Sequence, residues 1–420
     1  MKKKLLVVIT SILSIITILS ISIIFITASD NLQFYEWYKT WDDGGRNYGN
    51  GICDDENGSI YITGNSYNSN SSHIIQYDQS GRKIWELTWE DHDYCRAITI
   101  DNESNLYIGG YRYNPISEDS DFMLMKLNKS KQIEWERIWG PLESDRINGI
   151  ALDSLGNVYT VGQTDNLVLL RKYNTNGSFL WETSWISYTT YSTGKLAIDS
   201  ADKIYVTGIS GAEMFLVKYN STGDLDWYKT YGAVNKSIRS TDIVVDSCNN
   251  IYTCGYIDIS LSSLGNYVND VFVAKFNASG VQMWNKTWGD SGYDKAYGIA
   301  VDFNDNLYVT GSTTSFEHQK LFVLKFNAEG MKVWSNVLDF SIVDSGNDIV
   351  VNSFGDIYVV GNTFTINGEN DILIVKFSAM PPQIPGYDIF PLLIVSSMTL
   401  IIIGIRNIKS YKKKNSRFCN

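Results

Sequence analysis

The sequence predicts an all-β fold, a seven-bladed β-propeller of four-stranded antiparallel blades, on three observations. A hydrophobic-Tyr-x-x-Gly phrase recurs seven times along the 420 residues, at spacings typical of repeated β-sheet units. Trp residues four apart recur between these phrases, as at Trp85 and Trp89. The first such pair, Trp37 and Trp41, precedes every complete block, so the chain begins with the end of a repeat.

Two apolar segments flank the repeats. Residues 5–28 are apolar and follow three lysines, which predicts a signal peptide or signal anchor over residues 1–28. The apolar run 389–405 is about the shortest that spans a bilayer as a helix. Because basic residues mark the cytoplasmic side of a span, we expect a transmembrane helix at 389–405, a basic cytoplasmic tail at 406–420 and a propeller ectodomain at 31–380.

Each block of about fifty residues predicts four strands. An acidic or amide residue ends the first apolar run, six positions before the recurring Tyr, and a polar turn leads into the second strand. A third apolar run and the Trp phrase supply the third and fourth strands. Four-stranded units at this period are the signature of a propeller. The residues that end the first runs are Asp55, Asp101, Asp153, Asp199, Asp246, Asp302 and Asn352.

The first Trp of each phrase is predicted to be structural. Trp residues four apart in a strand point to the same face, so both are expected between blades. A residue that recurs in every blade serves the blade, and we assign it no catalytic role. These residues are Trp37, Trp85, Trp135, Trp181, Trp227, Trp284 and Trp334.

The seventh block ends without a Trp phrase, so the last blade lacks its outer strand. Residues 34–41 contain the unmatched phrase at the start of the chain. We expect this segment to pair with the last block and to close the ring without an open sheet edge.

The loops between second and third strands differ most in length between blocks, whereas the residue that ends the first run is always six residues before the Tyr and the third-strand aromatic or Leu always eight residues before the next Trp. Connections in a meander alternate between its two ends, so these loops share a face with the crossovers between blades. Loops on a rigid scaffold are the usual place for binding. The longest, residues 111–121 and 256–270, contain the candidate binding residues Tyr111, Tyr113 and Tyr267.

Four aspartates are expected on the same face, at the entry to the innermost strand: Asp93, Asp145, Asp294 and Asp344. A partial ring of carboxylates at a channel mouth can bind a cation or a basic group. Alternatively, each aspartate caps its own turn, and general turn chemistry favours this. We therefore expect no cofactor, and allow only a surface-bound divalent cation.

The formal net charge is −11, and about −20 once the terminal basic residues are set aside. Such a surface repels phosphate backbones, so nucleic acid is not an expected partner. Nine Asn-x-Ser/Thr sequons suit a glycosylated exterior. Four cysteines outside the tail allow three disulfide connectivities, and free or singly paired thiols are expected.

The phrase W-x-K-T-W-G with D-x-A-x-G-I-A-V-D-x-x-D-N-L-Y-V-T-G, fullest from Trp284 to Gly311, resembles the SBBP-type β-propeller repeat of bacterial and archaeal surface proteins. The resemblance covers residues 35–378 and implies a fold and an exported setting rather than a reaction. Within residues 381–388, Ile384-Pro-Gly-Tyr-Asp388 is similar to the Pro-Gly-Phe sorting signals of archaeal surface proteins, with Tyr387 in place of Phe. This likeness implies a processed or a retained membrane anchor.

These features favour a cell-surface binding module, anchored in the membrane, whose variable-loop face meets a glycan, an envelope protein or a peptide. One alternative is a propeller enzyme: a lyase, a glycosidase or a quinone-dependent dehydrogenase. The phrase from Tyr219 to Trp227 is similar to the repeat of quinoprotein propellers, although those have eight blades. Another alternative is an envelope or S-layer assembly scaffold.

Overall fold

The structure is a computed structural model that describes residues 35–378, apart from 90–91, 141–143, 165–166, 187–193, 233–235, 261–266, 315–317 and 366–367. The predicted signal segment 1–28, linker 381–388, membrane helix 389–405 and tail 406–420 lie outside the described residues. Within the part that is described, no helix is long and apolar enough to cross a membrane.

The described residues form seven four-stranded antiparallel sheets, here called blades one to seven, which confirms the predicted fold. Blade one contains β2 (Asn47–Asp54), β3 (Ile60–Ser66), β4 (Ser71–Tyr77) and β5 (Lys83–Trp89). Blade two contains β6 (Asp93–Ile100), β7 (Leu106–Asn114), β8 (Asp119–Leu127) and β9 (Ile133–Trp139). Blade three contains β10 (Arg146–Leu152), β11 (Val158–Thr164), β12 (Leu167–Tyr173) and β13 (Phe179–Ile186).

Blade four contains β14 (Lys195–Ile198), β15 (Ile204–Ser210), β16 (Glu213–Tyr219) and β17 (Leu225–Tyr231). Blade five contains β18 (Ile238–Val245), β19 (Ile251–Ser260), β20 (Tyr267–Phe276) and β21 (Gln282–Trp288). Blade six contains β22 (Asp294–Val301), β23 (Leu307–Thr313), β24 (Lys320–Phe326) and β25 (Lys332–Leu338). Blade seven contains β26 (Asp344–Val351), β27 (Ile357–Phe364), β28 (Asn370–Phe377) and β1 (Trp37–Trp41).

The recurring aspartate builds the turn between the first two strands of a blade. In blade three, Asp153 Oδ1 accepts the N–H groups of Leu155 (3.0 Å) and Asn157 (2.8 Å), and Oδ2 accepts the hydroxyl of Tyr159 (3.1 Å). A side chain that bonds the backbone two and four residues on fixes such a turn. The aspartate and the Tyr are therefore scaffold residues, as their recurrence predicts.

The Trp residues pack between blades, as predicted. The ring of Trp135 in blade two lies over Gly177, in the turn between β12 and β13 of blade three. A Cβ on Gly177, whose φ is +72°, would come within 2.6 Å of this ring, so only glycine fits beneath it. Trp135 Nε1 also donates to the carbonyl of Thr175 at 3.2 Å. Each contact of this kind fixes one blade against the next.

The strand β1 closes the ring, as predicted. It pairs antiparallel with β28, with Trp37 opposite Lys376 and Trp41 opposite Ile372. Trp37 Nε1 then donates to the carbonyl of Gln79 in blade one, at 3.1 Å. The first strand of the chain thus completes the last blade and packs it on the first.

Two faces follow from this topology. The turns after the first and third strands of every blade form the turn face, and the loops after the second strands form the loop face together with the crossovers. Most of the described residues in the segments 111–121 and 256–270 belong to the strands of hairpins rather than to loops. Tyr111 pairs with Phe122, and Ile257 pairs with Asp270, because aromatic and β-branched residues continue the ladder.

Candidate functional site

Asp93 and Asp145 occupy the same repeat position in blades two and three but have different partners. Both are fully buried. Asp93 accepts Arg112 Nε at 2.6 Å and Nη2 at 2.7 Å. Burial raises the pKa of Asp145 to about 7; a hydrogen bond from Thr164 lowers it and the nearby Asp121 carboxylate raises it.

Asp294 and Asp344, the other two predicted aspartates, are also fully buried. Asp344 Oδ2 accepts the N–H groups of Phe340 at 2.7 Å and Ser341 at 3.0 Å. Asp294 Oδ2 accepts the N–H of Asp290 at 3.2 Å. Both bond to the crossover that precedes their own strand, and none of the four aspartates lines the axial cavity described next.

A cavity of about 220 Å³ is lined by one residue from each of the seven innermost strands, and is here called the axial cavity. Six of these residues lie at β-bulges, where an extra residue is left out of the strand pairing and bends the strand. Each bulge falls in the half of its strand that begins at the loop face. The lining residues are Asn50, Arg96, Asn148, Lys195, Thr241, Tyr297 and Asn347.

The axial cavity breaks the sevenfold repetition of the scaffold. Asn50 and Asn347 donate to carbonyls of the next blade, at Cys95 and Gly49, each at 2.8 Å. Asn148, which is 4% exposed, has no partner among the described residues for either its amide nitrogen or its oxygen. Since a buried amide without partners is costly, the side chain of Asn148 is available to a ligand.

Lys195, Asp242 and Asp348 form a charged triad. Asp242 and Asp348 directly follow the bulge residues of their strands, and Lys195 holds the equivalent repeat position in blade four. Asp242 and Asp348 each accept a backbone N–H of the following blade, from Ile299 (3.0 Å) and Ile52 (3.1 Å). Burial raises the pKa of Asp242 to about 6 and also raises that of Asp348. Burial lowers the pKa of Lys195, but the two carboxylates more than offset this, so Lys195 keeps its proton at neutral pH.

Three basic residues lie two positions before the bulges, at the loop-face side of the axial cavity: Arg146, Arg239 and Lys295, here called the basic rim. Lys295 lies over the Tyr256 ring at 4.9 Å from its centroid. Burial lowers the pKa of Arg96, and the charge of Arg146 lowers it further. Neither Arg96 nor Arg146 has an ion-pair partner among the residues described, so positive charge is uncompensated here.

Four tyrosines form a continuous ladder beside the axial cavity. Ring centroids are 5.3 Å apart for Tyr48 and Tyr67, 5.4 Å for Tyr67 and Tyr94, and 4.8 Å for Tyr94 and Tyr111. The last pair is nearly parallel, at 14°. Tyr67 is 50% exposed, and Tyr94 lies two residues before Arg96. This tyrosine ladder therefore offers an accessible aromatic surface next to uncompensated positive charge.

Of the predicted tyrosines, only Tyr111 is placed in this cluster. Tyr113 lies two residues beyond Tyr111 in β7, and its ring is 6.4 Å from that of His92, just before β6. Tyr267 begins β20, and its side chain lies outside the described part of the structure. Sequence reasoning missed Arg96 and the basic rim. The sequence did contain a signal for them: at the bulge position and at the position two residues before it, the residue type changes from blade to blade.

A larger depression, about 750 Å³, lies on the turn face between blades two, three and four. Its carboxylates belong to the recurring turns and are already bonded within them. Asp153, for example, binds Asn157, Tyr159 and the ammonium of Lys172, the last at 3.1 Å. This depression is a by-product of the repeat, and the axial cavity is the better candidate for a site.

Comparison with known proteins supports the fold assignment. The family model described as SBBP, beta-propeller repeat, matches residues 128–167 and 288–317. These matches support the resemblance to SBBP-type repeats that the sequence shows. No curated protein matches the chain.

Solved structures with a similar fold include two lyases and Drosophila Plexin A. A streptogramin B lyase has 12% identity and a TM-score of 0.53, over 81% of this chain and 97% of its own. Virginiamycin B lyase from Staphylococcus aureus has 11% identity and a TM-score of 0.53, over 81% and 99%. Drosophila Plexin A, in complex with Semaphorin 1b, has 9% identity and a TM-score of 0.50, over 84% and 88%. Likeness at this identity shows the fold alone.

Proposed function

We propose that this protein is a membrane-anchored, cell-surface binding module that holds its ligand on the loop face, over the axial cavity. One observation carries the proposal. The scaffold residues repeat from blade to blade, whereas the axial cavity is lined by three Asn, one Arg, one Lys, one Thr and one Tyr, which differ in charge and size. Selection for packing alone would make them alike, as it does the Trp and Tyr positions.

The positions of the chain ends support this proposal. β1 begins at Trp37 and β28 ends at Phe377, and both points lie on the turn face. The described ends of the propeller therefore lie on the face opposite the variable loops, and the loop face carries neither of them.

The charged triad favours binding over catalysis. A lyase that abstracts a proton needs a base that is unprotonated near neutral pH. Lys195 is the amine in the axial cavity, and Asp242 and Asp348 hold its pKa above the ordinary value against the effect of burial. The same triad joins neighbouring blades through backbone hydrogen bonds, which gives it a structural task.

The test uses bulky labels on the two faces. In a Cys248→Ser, Cys419→Ser background of the full-length protein, Asn68→Cys places a thiol on the loop face of blade one, and Glu56→Cys places one on its turn face; both positions are exposed. Each variant is coupled to a polyethylene glycol maleimide and applied to arrays of glycans, peptides and envelope proteins. We expect the loop-face label to abolish binding and the turn-face label to leave it unchanged.

Binding that survives the loop-face label, or turnover of the bound ligand into a product, would contradict the proposal. Unlabelled Asn68→Cys and Glu56→Cys proteins serve as controls for the substitutions themselves. Equal melting temperatures for all samples would show that the label acts on access and not on folding.

A further inference from the structure

Resting on the proposed function, we propose that the loop face binds an acidic glycan, with an anionic group of the glycan in the axial cavity and a sugar ring on the tyrosine ladder. This inference names the chemical class of the ligand, which the proposed function leaves open. It joins three observations: uncompensated positive charge, a small polar cavity and an adjacent aromatic surface.

The charge argument begins with Arg96. Arg96 lines the axial cavity, and Arg146, Arg239 and Lys295 lie two positions before the lining residues of their own strands, towards the loop face. The chain as a whole is acidic, with a net charge of −11, so four basic side chains in one region are a local excess of positive charge. Guanidinium groups bind carboxylate, sulfate and phosphate oxygens through charge-assisted hydrogen bonds, which burial strengthens.

The negative charges nearby offset Lys295, which has the Asp258 carboxylate close to it, but not Arg96 or Arg146. Asp242 and Asp348 face Lys195, and both carboxylates also accept backbone N–H groups of neighbouring blades. Lys195 therefore compensates the charge of the two aspartates, and the charge of Arg96 is left to bind a ligand. The buried amide of Asn148, without partners in the described structure, adds a donor and an acceptor on the same cavity wall.

The size of the axial cavity limits what enters it. Its volume of about 220 Å³ is below the roughly 300 Å³ at which pockets for drug-sized ligands begin. The cavity therefore takes one small group rather than a whole oligomer. The remainder of a longer ligand must lie on the surface beside it, where the tyrosine ladder is.

The tyrosine ladder favours a sugar over a peptide. Tyr67, 50% exposed, is the accessible ring of the ladder, and Tyr48 and Tyr94 hold it in place from either side. A single fixed aromatic ring suits the flat C–H face of one pyranose. A peptide that adds a strand needs an open, regular sheet edge. The innermost strands interrupt that edge with bulges beside the cavity, as between Cys95 and Ala97.

The experiment measures binding of defined probes to the purified full-length chain by isothermal titration calorimetry. The acidic probe is an oligogalacturonate, and the neutral probe is an oligogalactose of equal length. We expect the acidic probe to bind at least tenfold more tightly. Arg96→Gln should weaken its binding about tenfold or more, since it removes a charge-assisted hydrogen bond, and should leave binding of the neutral probe unchanged.

Two matched controls accompany the variants. Arg82→Gln removes the same charge from the turn face, where the Arg82 side chain is 76% exposed, and should have no effect. Tyr67→Ala should weaken binding several-fold through loss of stacking. Tyr228→Ala removes a similarly exposed ring, 44% exposed, from the outermost strand of blade four, and should not. If Arg96→Gln fails to fold by circular dichroism, Arg146→Gln takes its place.

Three outcomes would overturn the inference. They are equal binding of the acidic and neutral probes, binding that is insensitive to both arginine variants, and tighter binding of an oligoglutamate peptide of equal charge. In each case, a ligand blocked by the loop-face label leaves the proposed function standing. Loss of the proposed function is recognised separately, because the loop-face label then has no effect on any ligand.

Discussion

Asp93 and Asp145 show how far the surroundings decide the behaviour of one residue type. They hold the same position in successive blades and are both fully buried. Arg112 neutralises Asp93 through two hydrogen bonds, at 2.6 and 2.7 Å. Asp145 has no ion pair among the described residues, and its pKa rises to about 7 because burial dominates. The first carboxylate is therefore structural, and the second is costly to ionise.

We predict opposite effects of the two amide substitutions. A folded-state pKa of about 7 for Asp145, against 3.8 unfolded, means that its contribution to stability is complete below pH 4 and lost as pH rises to 7. Asp145→Asn should therefore raise the free energy of unfolding at pH 8 by about 1–3 kcal/mol and flatten its dependence on pH between 4 and 7. Urea unfolding at a series of pH values measures this.

Asp93→Asn serves as the matched control and should lower the free energy of unfolding by about 3 kcal/mol, because it leaves Arg112 without its buried partner. Equal effects of the two substitutions at pH 8 would contradict this account of the aspartates.

At the level of elements, the bulges of the innermost strands matter most for the site. A bulge adds one residue to a strand without changing the pairing on either side, as between Cys95 and Ala97 around Arg96. Strand periods and turn residues predicted the hairpins, the Trp strands and the closing strand. They did not predict the bulges, because a bulge at a constant position in every repeat leaves the repeat length constant. Arg96 consequently passed as an ordinary strand residue.

The closing strand β1 offers a test of element packing. Trp37 lies over Gly81 of blade one and donates to Gln79 at 3.1 Å, so it bridges the seam between the last blade and the first. Trp37→Ala should lower the free energy of unfolding by about 3 kcal/mol. Lys39→Ala, at an exposed position of the same strand, should change it by less than about 0.5 kcal/mol. Similar losses in both variants would mean that the seam depends on backbone pairing alone.

For the whole molecule, closure of the ring is the property that β1 confers. Without residues 34–41, β28 keeps only β27 as a neighbour, and its outer edge opens. We expect the deletion to lower the melting temperature and to accelerate amide hydrogen exchange of Ile372 to Lys376 most strongly. Hydrogen exchange with mass spectrometry resolves these peptides. Uniform acceleration in all seven blades would contradict a closure that acts locally.

The propeller architecture could be predicted from the sequence, and the site only in part. Blade number, strand order and closure follow from repetition, since each repeat gives the same signal seven times. The axial cavity depends on residues that differ between repeats and meet only when the ring forms. Asn50 and Asn347, for example, lie 297 positions apart in sequence and line one cavity. The sequence of a single blade does not show which residues of the other blades line the cavity with it.

The antiparallel pairing of β1 with β28 has a mechanical consequence. The start of β1 lies beside the end of β28, so a pulling force between the two ends of the propeller peels the strands apart one pair at a time, rather than shearing all five pairs together. The first pair to be loaded is Trp37 and Lys376. Lys376 binds Glu36 at 2.8 Å and Asp356 at 3.0 Å. These ion pairs reinforce the ring at the point where tension would begin to open it.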